Sequence, residues 1–182
     1  DPTLTRKKEE YEGHVPDRCK LYLGGQYQIF SDQHIEMALL YDEKQRLSSD
    51  TVHLYGGQTQ KLDLSMLCMS LSRKFKVSVL GDLNNEVLHI SKNITITKTS
   101  MNPIETFWNC KLGVGSPGNM LWERGSIGIP SYVIMNNPNQ EKICTELNRA
   151  GLLVLGHYDQ KSNLIEEVDK IQSLFNDREK LE

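Results

Sequence analysis

The chain has 182 residues, a length typical of one domain with a sizeable core. Its 21 Lys and Arg against 24 Asp and Glu give a net charge of −3, and the pI of about 6.0 predicts no basic surface for nucleic acid or an anionic membrane. No apolar run reaches the roughly 18 residues of a membrane span. We therefore expect a cytoplasmic protein that binds neither nucleic acid nor a membrane.

The four cysteines are spread along the chain, without a C-x-x-C pair or a histidine at ligand spacing. This spacing argues against a zinc site and a disulfide framework, and it predicts small buried thiols kept reduced in the cytosol. We expect no metal and no cofactor.

Residues 1–18 are polar, and the sequence begins with Asp1 rather than Met. We interpret this stretch as a linker or N-terminal extension that follows other parts of a longer protein. Residues 19–182 are then predicted to form one domain.

Within that domain, short apolar runs alternate with longer amphipathic stretches. The predicted strands are residues 19–23, 51–55, 77–80, 94–97, 110–114, 131–135 and 152–155. The predicted helices are residues 62–75, a helix opening at Asn102-Pro103, and residues 115–127, 140–150 and 164–175. This alternation predicts an α/β, Rossmann-like domain of three layers with a mostly parallel sheet. Its ligand is expected outside the carboxyl ends of the strands.

The richest loop of the sequence is G-V-G-S-P-G-N at residues 113–119, which follows an apolar strand and matches G-x-G-x-x-G. The dinucleotide motif also needs an acidic residue about 20 positions further on. Residues 135–137 are Met-Asn-Asn, so NAD is disfavoured.

Independently of that motif, the loop has the features of a phosphate-binding turn. Glycines allow close approach of the backbone, and a helix N-terminus attracts an anion. The candidate residues are Gly113, Gly115, Ser116, Gly118 and Asn119. The alternative is a plain strand-to-helix turn with Ser116 as N-cap.

Three further candidates lie in or near such loops. Glu123, inside the predicted helix, can accept hydrogen bonds from a ribose diol; alternatively it is a solvated glutamate paired with Arg124 or Arg73. Gly56 and Gly57 form a second turn that can face an anion. The carboxamides of Asn139 and Gln140 can bind a phosphate or a sugar hydroxyl, or simply belong to a turn with an N-cap.

No catalytic residue can be assigned from the sequence. None of the five histidines has the context of a serine or cysteine triad, and the motifs H-E-x-x-H and G-x-S-x-G are absent. His53 lies inside a predicted strand, and we interpret it as structural.

The residues at 113–134, followed by Asn139-Gln140 and Ala150-Gly151, resemble the carboxyl-terminal half of the UDP-sugar hydrolase of the pseudaminic acid pathway and its spore-coat polysaccharide relatives. That family carries G-x-G-[GS]-x-x-x-W-E-x-x-x-x-G-[IL]-P-x and then an N-Q pair. L-G-G-Q-Y at 23–27 and Y-G-G at 55–57 are weaker matches. The resemblance covers about residues 21–156.

This resemblance implies a domain equivalent to the carboxyl-terminal half of a B-type glycosyltransferase, which binds UDP or a UDP-sugar. By position, Glu123 would hold the ribose hydroxyls and Ser116 would face the phosphates. Asn139 and Gln140 would line the phosphate or sugar end, and Gly56-Gly57 would allow close approach opposite.

The sequence also departs from the family. Gln58-Thr59 stands where relatives often have an acidic residue, and Ile29-Phe30-Ser31 stands where an Arg commonly follows the tyrosine segment. The amino-terminal G-x-G-H-x-x-R loop, whose His acts as base, is absent. Relatives also occur fused behind an acylneuraminate cytidylyltransferase, and a similar fusion is compatible with residues 1–18.

The leading hypothesis is the UDP-sugar-binding domain of a hydrolase-like bacterial protein in sialic or pseudaminic (nonulosonic) acid biosynthesis, without turnover of its own. Its partners would be UDP or a UDP-sugar and the amino-terminal domains of the same polypeptide. One alternative is half of a UDP-sugar glycosyltransferase. Another is a diverged, non-catalytic domain that regulates a fused cytidylyltransferase or makes it dimerise. In that case the partner would be a second copy of the chain, in a homodimer.

Overall fold

The computed structural model describes residues 6–57, 64–81, 83, 91–98, 102–135, 137–157 and 163–181. The strands of this part of the chain are β1 (Thr51–Tyr55), β2 (Lys76–Leu80), β3 (Ile94–Thr97), β4 (Leu112–Gly115), β5 (Ser131–Ile134) and β6 (Val154–Gly156). The α-helices are α1 (Asp32–Leu39), α2 (Glu43–Ser48), α3 (Ser65–Leu71), α4 (Ile104–Phe107), α5 (Asn119–Ser126), α6 (Glu141–Arg149), α7 (Leu164–Asn176) and α8 (Arg178–Leu181).

The six strands form one sheet in the order β3-β2-β1-β4-β5-β6, and all five pairs of neighbours are parallel. This is the doubly wound order, in which the direction of winding reverses between β1 and β4. The predicted Rossmann-like α/β fold is therefore confirmed. The reversal also fixes the topological switch point at the carboxyl ends of these two central strands.

One face of the sheet is apolar and packs against α3, α7 and α8. The strand residues on this face are Val52, Leu54, Val77, Val79, Leu112, Val114, Tyr132 and Ile134, and all are buried. They meet apolar side chains that recur at helical spacing in α7, among them Ile171, Leu174 and Phe175. Burial of this much apolar surface is the main stabilising contribution to the fold.

The opposite face is covered by α4, α5 and α6 over two smaller apolar clusters. Phe107, Cys110 and Met120 belong to the first, and Val133 and Cys144 to the second. The predicted burial of the thiols is confirmed for Cys68 as well as for Cys110 and Cys144, whereas Cys19 is exposed.

Several predicted elements match the structure closely, including β1, β3, α6 and α7.

The end of α6 lies where the sequence predicts it, because the chain there needs a glycine. Gly151 adopts a φ of 73°, a conformation that glycine tolerates. Its N–H donates to the Asn148 carbonyl, and the N–H of Leu152 donates to that of Leu147, both at 3.0 Å. This Schellman pattern satisfies the last carbonyls of the helix.

The prediction of a strand at residues 19–23 was wrong. These residues have no strand partner in the structure, and most of them are exposed or half-exposed. A short apolar run becomes a strand only where a neighbouring strand can satisfy its peptide groups.

The sequence reading missed α1, α2 and α8. The first two begin at N-caps: Ser31 Oγ accepts the N–H of His34 at 3.1 Å, and Asp42 Oδ1 accepts that of Lys44 at 2.9 Å. Part of the segment interpreted as a linker also packs on the domain. Residues Lys8–Tyr11 form a 3-10 turn, and Glu10 lies 3.9 Å from Lys142 on α6.

Candidate functional site

The switch point brings two of the predicted glycine turns side by side. Tyr55, the last residue of β1, is the register partner of Gly115, the last residue of β4. The N–H of Ser116 continues this pairing by donating to the Tyr55 carbonyl at 2.9 Å. The 56–57 turn and the turn of residues 115–118 therefore leave the same edge of the sheet together. Ligands of doubly wound sheets bind in this crevice.

Helix α5 begins at the end of the 115–118 turn. Its N-cap is Gly118, and no side chain caps it, so its first peptide N–H groups can receive an anion. A Cβ on Gly118 would meet nothing within 4 Å, so this part of the turn is open. The alternative that Ser116 is the N-cap was wrong: Ser116 is buried, and its hydroxyl donates to the Pro117 carbonyl at 3.4 Å. Asn119 is the first residue of the helix.

Gly113 and Gly115 are explained by packing inside the domain. A Cβ on Gly115, at a φ of 135°, would lie 1.9 Å from the Tyr55 carbonyl oxygen. A Cβ on Gly113 would lie 2.5 Å from both Cδ and Nε of Arg124. Glycine at these two positions lets β1 and the Arg124 side chain approach β4, whether or not a ligand is bound.

Glu123 is the fifth residue of α5 and is half-buried. Its carboxylate forms no ion pair with any described residue, so the alternative pairing with Arg124 or Arg73 is not seen. Burial raises the pKa of Glu123, and the nearby Arg124 opposes that shift. Burial, and after it the Glu123 charge, raise the pKa of Tyr55, which places this carboxylate near the end of β1.

Gln140 also reaches this region. Its Nε2 donates to the carbonyl of Pro117 at 3.4 Å, which brings the end of the Pro138–Gln140 turn to the 115–118 turn. The expected N-cap exists at Asn137, whose Oδ1 accepts the N–H of Asn139 at 3.0 Å. Asn139 is exposed. Asn136 and the pair Gln58-Thr59 lie outside the described residues.

A buried polar chain beneath the site was missed by the sequence reading. Thr106 Oγ1 donates to the Pro103 carbonyl at 2.6 Å, so it accepts from His53 Nε2 at 3.2 Å. His53 Nδ1 is then free to accept from Arg124 Nη1 at 3.3 Å. This pattern assigns a neutral His53, and burial, followed by the Arg124 charge, lowers its pKa well below 6.5.

One signal could have revealed Arg124. Met120, Leu121, Arg124 and Ile127 recur at helical spacing, which places the arginine on the buried face of α5. The structural interpretation of His53 is confirmed by its complete burial.

Two kinds of feature are absent from the part of the chain that is described. No helix there combines the length and the apolar character needed to cross a bilayer. No group of three or more His, Cys, Asp or Glu residues among those positions is arranged to hold a metal ion.

Comparisons with known families and with curated proteins find no match. Among solved structures, the chain is similar to the glycosyltransferase SnogD from Streptomyces nogalater, with a TM-score of 0.47 and 14% identity. The alignment covers 96% of this chain and 52% of SnogD, so the chain spans about half the length of that enzyme.

Proposed function

We propose that this domain binds the UDP moiety of a UDP-sugar in a hydrolase-like protein of sialic or pseudaminic acid biosynthesis. The observation that supports this proposal is the convergence at the switch point. Two glycine turns and an uncapped helix N-terminus lie there. The same helix carries Glu123, whose charge acts on Tyr55 at the end of β1 and which forms no ion pair with a described residue. A nucleoside diphosphate needs both an anion-binding end and an acceptor for its ribose hydroxyls.

In this proposal, the Glu123 carboxylate accepts hydrogen bonds from the ribose diol, and the pyrophosphate lies at the N-terminus of α5. Peptide N–H groups and the helix dipole favour the charge that develops on UDP as the bond to the sugar breaks. Gln140, which reaches the same turn through Pro117, lies towards the phosphate or sugar end.

The base that activates water is assigned to an amino-terminal domain of the same protein, because the two buried histidines of the described chain have structural partners. His53 and His34 are buried, and each is hydrogen-bonded inside the domain. This chain alone is therefore expected to bind UDP without hydrolysing a UDP-sugar.

Calorimetric titration of UDP into the chain tests the proposal, with CMP and NAD as competing nucleotides. We expect UDP to bind most tightly and Glu123→Gln to weaken it about tenfold, since the neutral amide accepts hydrogen bonds from the diol less strongly. Glu179→Gln, which alters an exposed carboxylate on α8, is the matched control and should leave the affinity unchanged.

Absence of UDP binding in the folded wild-type chain would overturn the proposal. It would favour a second candidate, a diverged domain that regulates or dimerises a fused enzyme. The packing roles of Gly113 and Gly115 favour this candidate, because they explain two glycines of the loop without a ligand.

A further inference from the structure

Arg124 is the most unusual charged residue in the described core. It is fully buried on α5, and of its guanidinium nitrogens only Nη1 has a partner, the neutral ring of His53. Nε and Nη2 have no hydrogen-bond partner among the described residues, and no described carboxylate forms an ion pair with the group. Burial lowers the pKa of Arg124 to about 10, so the group remains a cation at pH 7.

Arg46 provides an instructive comparison, because it is also buried and also has two unpartnered nitrogens. Its Nη2, however, donates to the Leu181 carbonyl at 2.8 Å and lies 3.4 Å from the Glu43 carboxylate. Arg46 also lies just before β1, whereas the candidate site lies beyond the end of β1. Among the described residues, the interior therefore contains one arginine that forms an ion pair, Arg46, and one that does not, Arg124.

The Arg124 guanidinium lies close to β4, the strand that leads into the candidate site. Its Nε lies 2.5 Å from where a Cβ of Gly113 would be, so the guanidinium covers that residue of β4. Gly115 follows two positions later, roughly 7 Å further along the strand at about 3.3 Å per residue. A buried cation at this depth is poorly screened by salt and acts over that distance.

We propose that Arg124, a buried cation without an ion pair among the described residues, lies beneath the 115–118 turn, and that its charge strengthens the binding of the pyrophosphate without contacting it. This inference rests on the proposed function, because it concerns the anionic end of the same ligand. It also fixes the orientation of that ligand: the phosphates lie over β4 and α5, not over the 56–57 turn.

The test compares UDP, UMP and uridine as ligands, because a field effect grows with the charge of the ligand and a structural effect does not. We expect Arg124→Met to weaken UDP binding about tenfold, to weaken UMP less, and to leave uridine within about twofold. Arg124→Lys retains the charge and should restore most of the UDP affinity. Arg46→Met, which removes the other buried arginine, should leave the ratio of uridine to UDP dissociation constants unchanged.

A second variant keeps the arginine in place. Ser131 is the register partner of Gly113, and its buried hydroxyl has no hydrogen-bond partner in the part of the chain that is described. Ser131→Asp puts a carboxylate beside the guanidinium and should lower the preference for UDP over uridine about as much as Arg124→Met. This variant decides the question if circular dichroism shows that Arg124→Met does not fold.

Equal weakening of UDP and uridine in Arg124→Met, or an unchanged ratio in Ser131→Asp, would overturn this inference. Failure of the folded wild-type chain to bind UDP would instead overturn the proposed function, and the inference with it. The two failures are distinguishable because the second appears before any variant is made.

Discussion

One face of the central sheet is apolar across its middle, whereas the other carries a polar row at the same level. Ser78, His53, Gly113 and Ser131 are successive register partners on β2, β1, β4 and β5. Ser78 Oγ donates to the Thr106 carbonyl at 2.6 Å, and His53 connects α4 to α5. The apolar face stabilises the domain mainly by burial of apolar side chains, and it also holds one buried hydrogen bond, from the Tyr132 hydroxyl to the Glu167 carboxylate at 2.8 Å. The polar face fixes α5, the helix that carries the candidate site, in one orientation.

The largest effect is expected from a methyl group placed where β1 and β4 meet. Gly115→Ala should destabilise the domain by more than about 4 kcal/mol, because the new Cβ would lie 1.9 Å from the Tyr55 carbonyl oxygen. Chemical denaturation measures this change. Gly118→Ala, with nothing within 4 Å, is the control and should change stability by less than about 1 kcal/mol. Similar losses in both variants would contradict the close approach of the two strands.

A large but smaller effect is expected on the apolar face. Leu54 is 0% exposed, so Leu54→Ala should lower the free energy of unfolding by about 3 kcal/mol through lost burial and the cavity left behind. Leu39→Ala removes the same atoms from a side chain that is 82% exposed and should change stability by less than about 0.5 kcal/mol. A cost below 1 kcal/mol for Leu54→Ala would show that this face is loosely packed.

The polar face should be sensitive to pH through His53. His53 is neutral in the fold, with a pKa well below 6.5, and gains a proton near pH 6.5 when unfolded. Stability from this group is therefore present above pH 6.5 and lost as the pH falls, by at most about 1.4 kcal/mol per pH unit, or about 2 kcal/mol at pH 5.

His53→Gln tests this dependence through the difference in unfolding free energy between pH 7 and pH 5. We expect that difference to shrink by about 2 kcal/mol. Burial also lowers the pKa of His34, so some pH dependence remains in the variant. His14→Gln, at an exposed position, should leave the difference unchanged. An unaltered pH dependence in His53→Gln would contradict a neutral, buried His53.

The smallest effect is expected where α1 packs against α5. His34 Nε2 lies 2.7 Å from Ser126 Oγ, which itself donates to the Glu123 carbonyl at 2.9 Å. Ser126→Ala leaves the buried His34 without this partner and should cost about 1 kcal/mol in thermal or chemical unfolding. Ser48→Ala, an exposed serine that bonds only to the carbonyl of Gln45, should cost less. The reverse order would show that His34 does not hold α1 in place.

The apolar face was predictable from the sequence, and the polar face was not. Runs such as T-V-H-L-Y and S-Y-V-I-M predict strands, because their apolar residues are buried in the fold whichever strands lie beside them. The strand at 19–23 failed because an apolar run does not reveal whether a pairing partner exists. Helices α1 and α2 were not predicted, because short polar helices show little periodicity of apolar residues. Ser31 and Asp42, however, are residue types that favour the N-cap position.

The loops of the candidate site were predictable because the alternation of strands and helices predicts a parallel sheet, whose strands all end at one edge. That the Gly56-Gly57 and 115–118 turns lie side by side is seen only in the strand order of the structure. The close contact between Gly113 and the Arg124 side chain was not predictable, since it depends on how α5 is rotated about its axis above β4. The sequence predicts Gly115 as a residue that faces a ligand. Its pairing with Tyr55 in the structure shows that the neighbouring strand already requires a glycine there.

The pairing of β1 with β4 has a consequence for how the domain folds. Tyr55 and Gly115 are 60 positions apart (115 − 55), and α3, β2, β3 and α4 lie between them. Because closing so long a segment costs entropy before the strands pair, β4 is expected to join β1 late in folding. Until then β1 is an open edge, with Val52 and Leu54 only partly covered. During synthesis the two sides of the crevice emerge at different times, and the crevice is complete only when β4 pairs with β1.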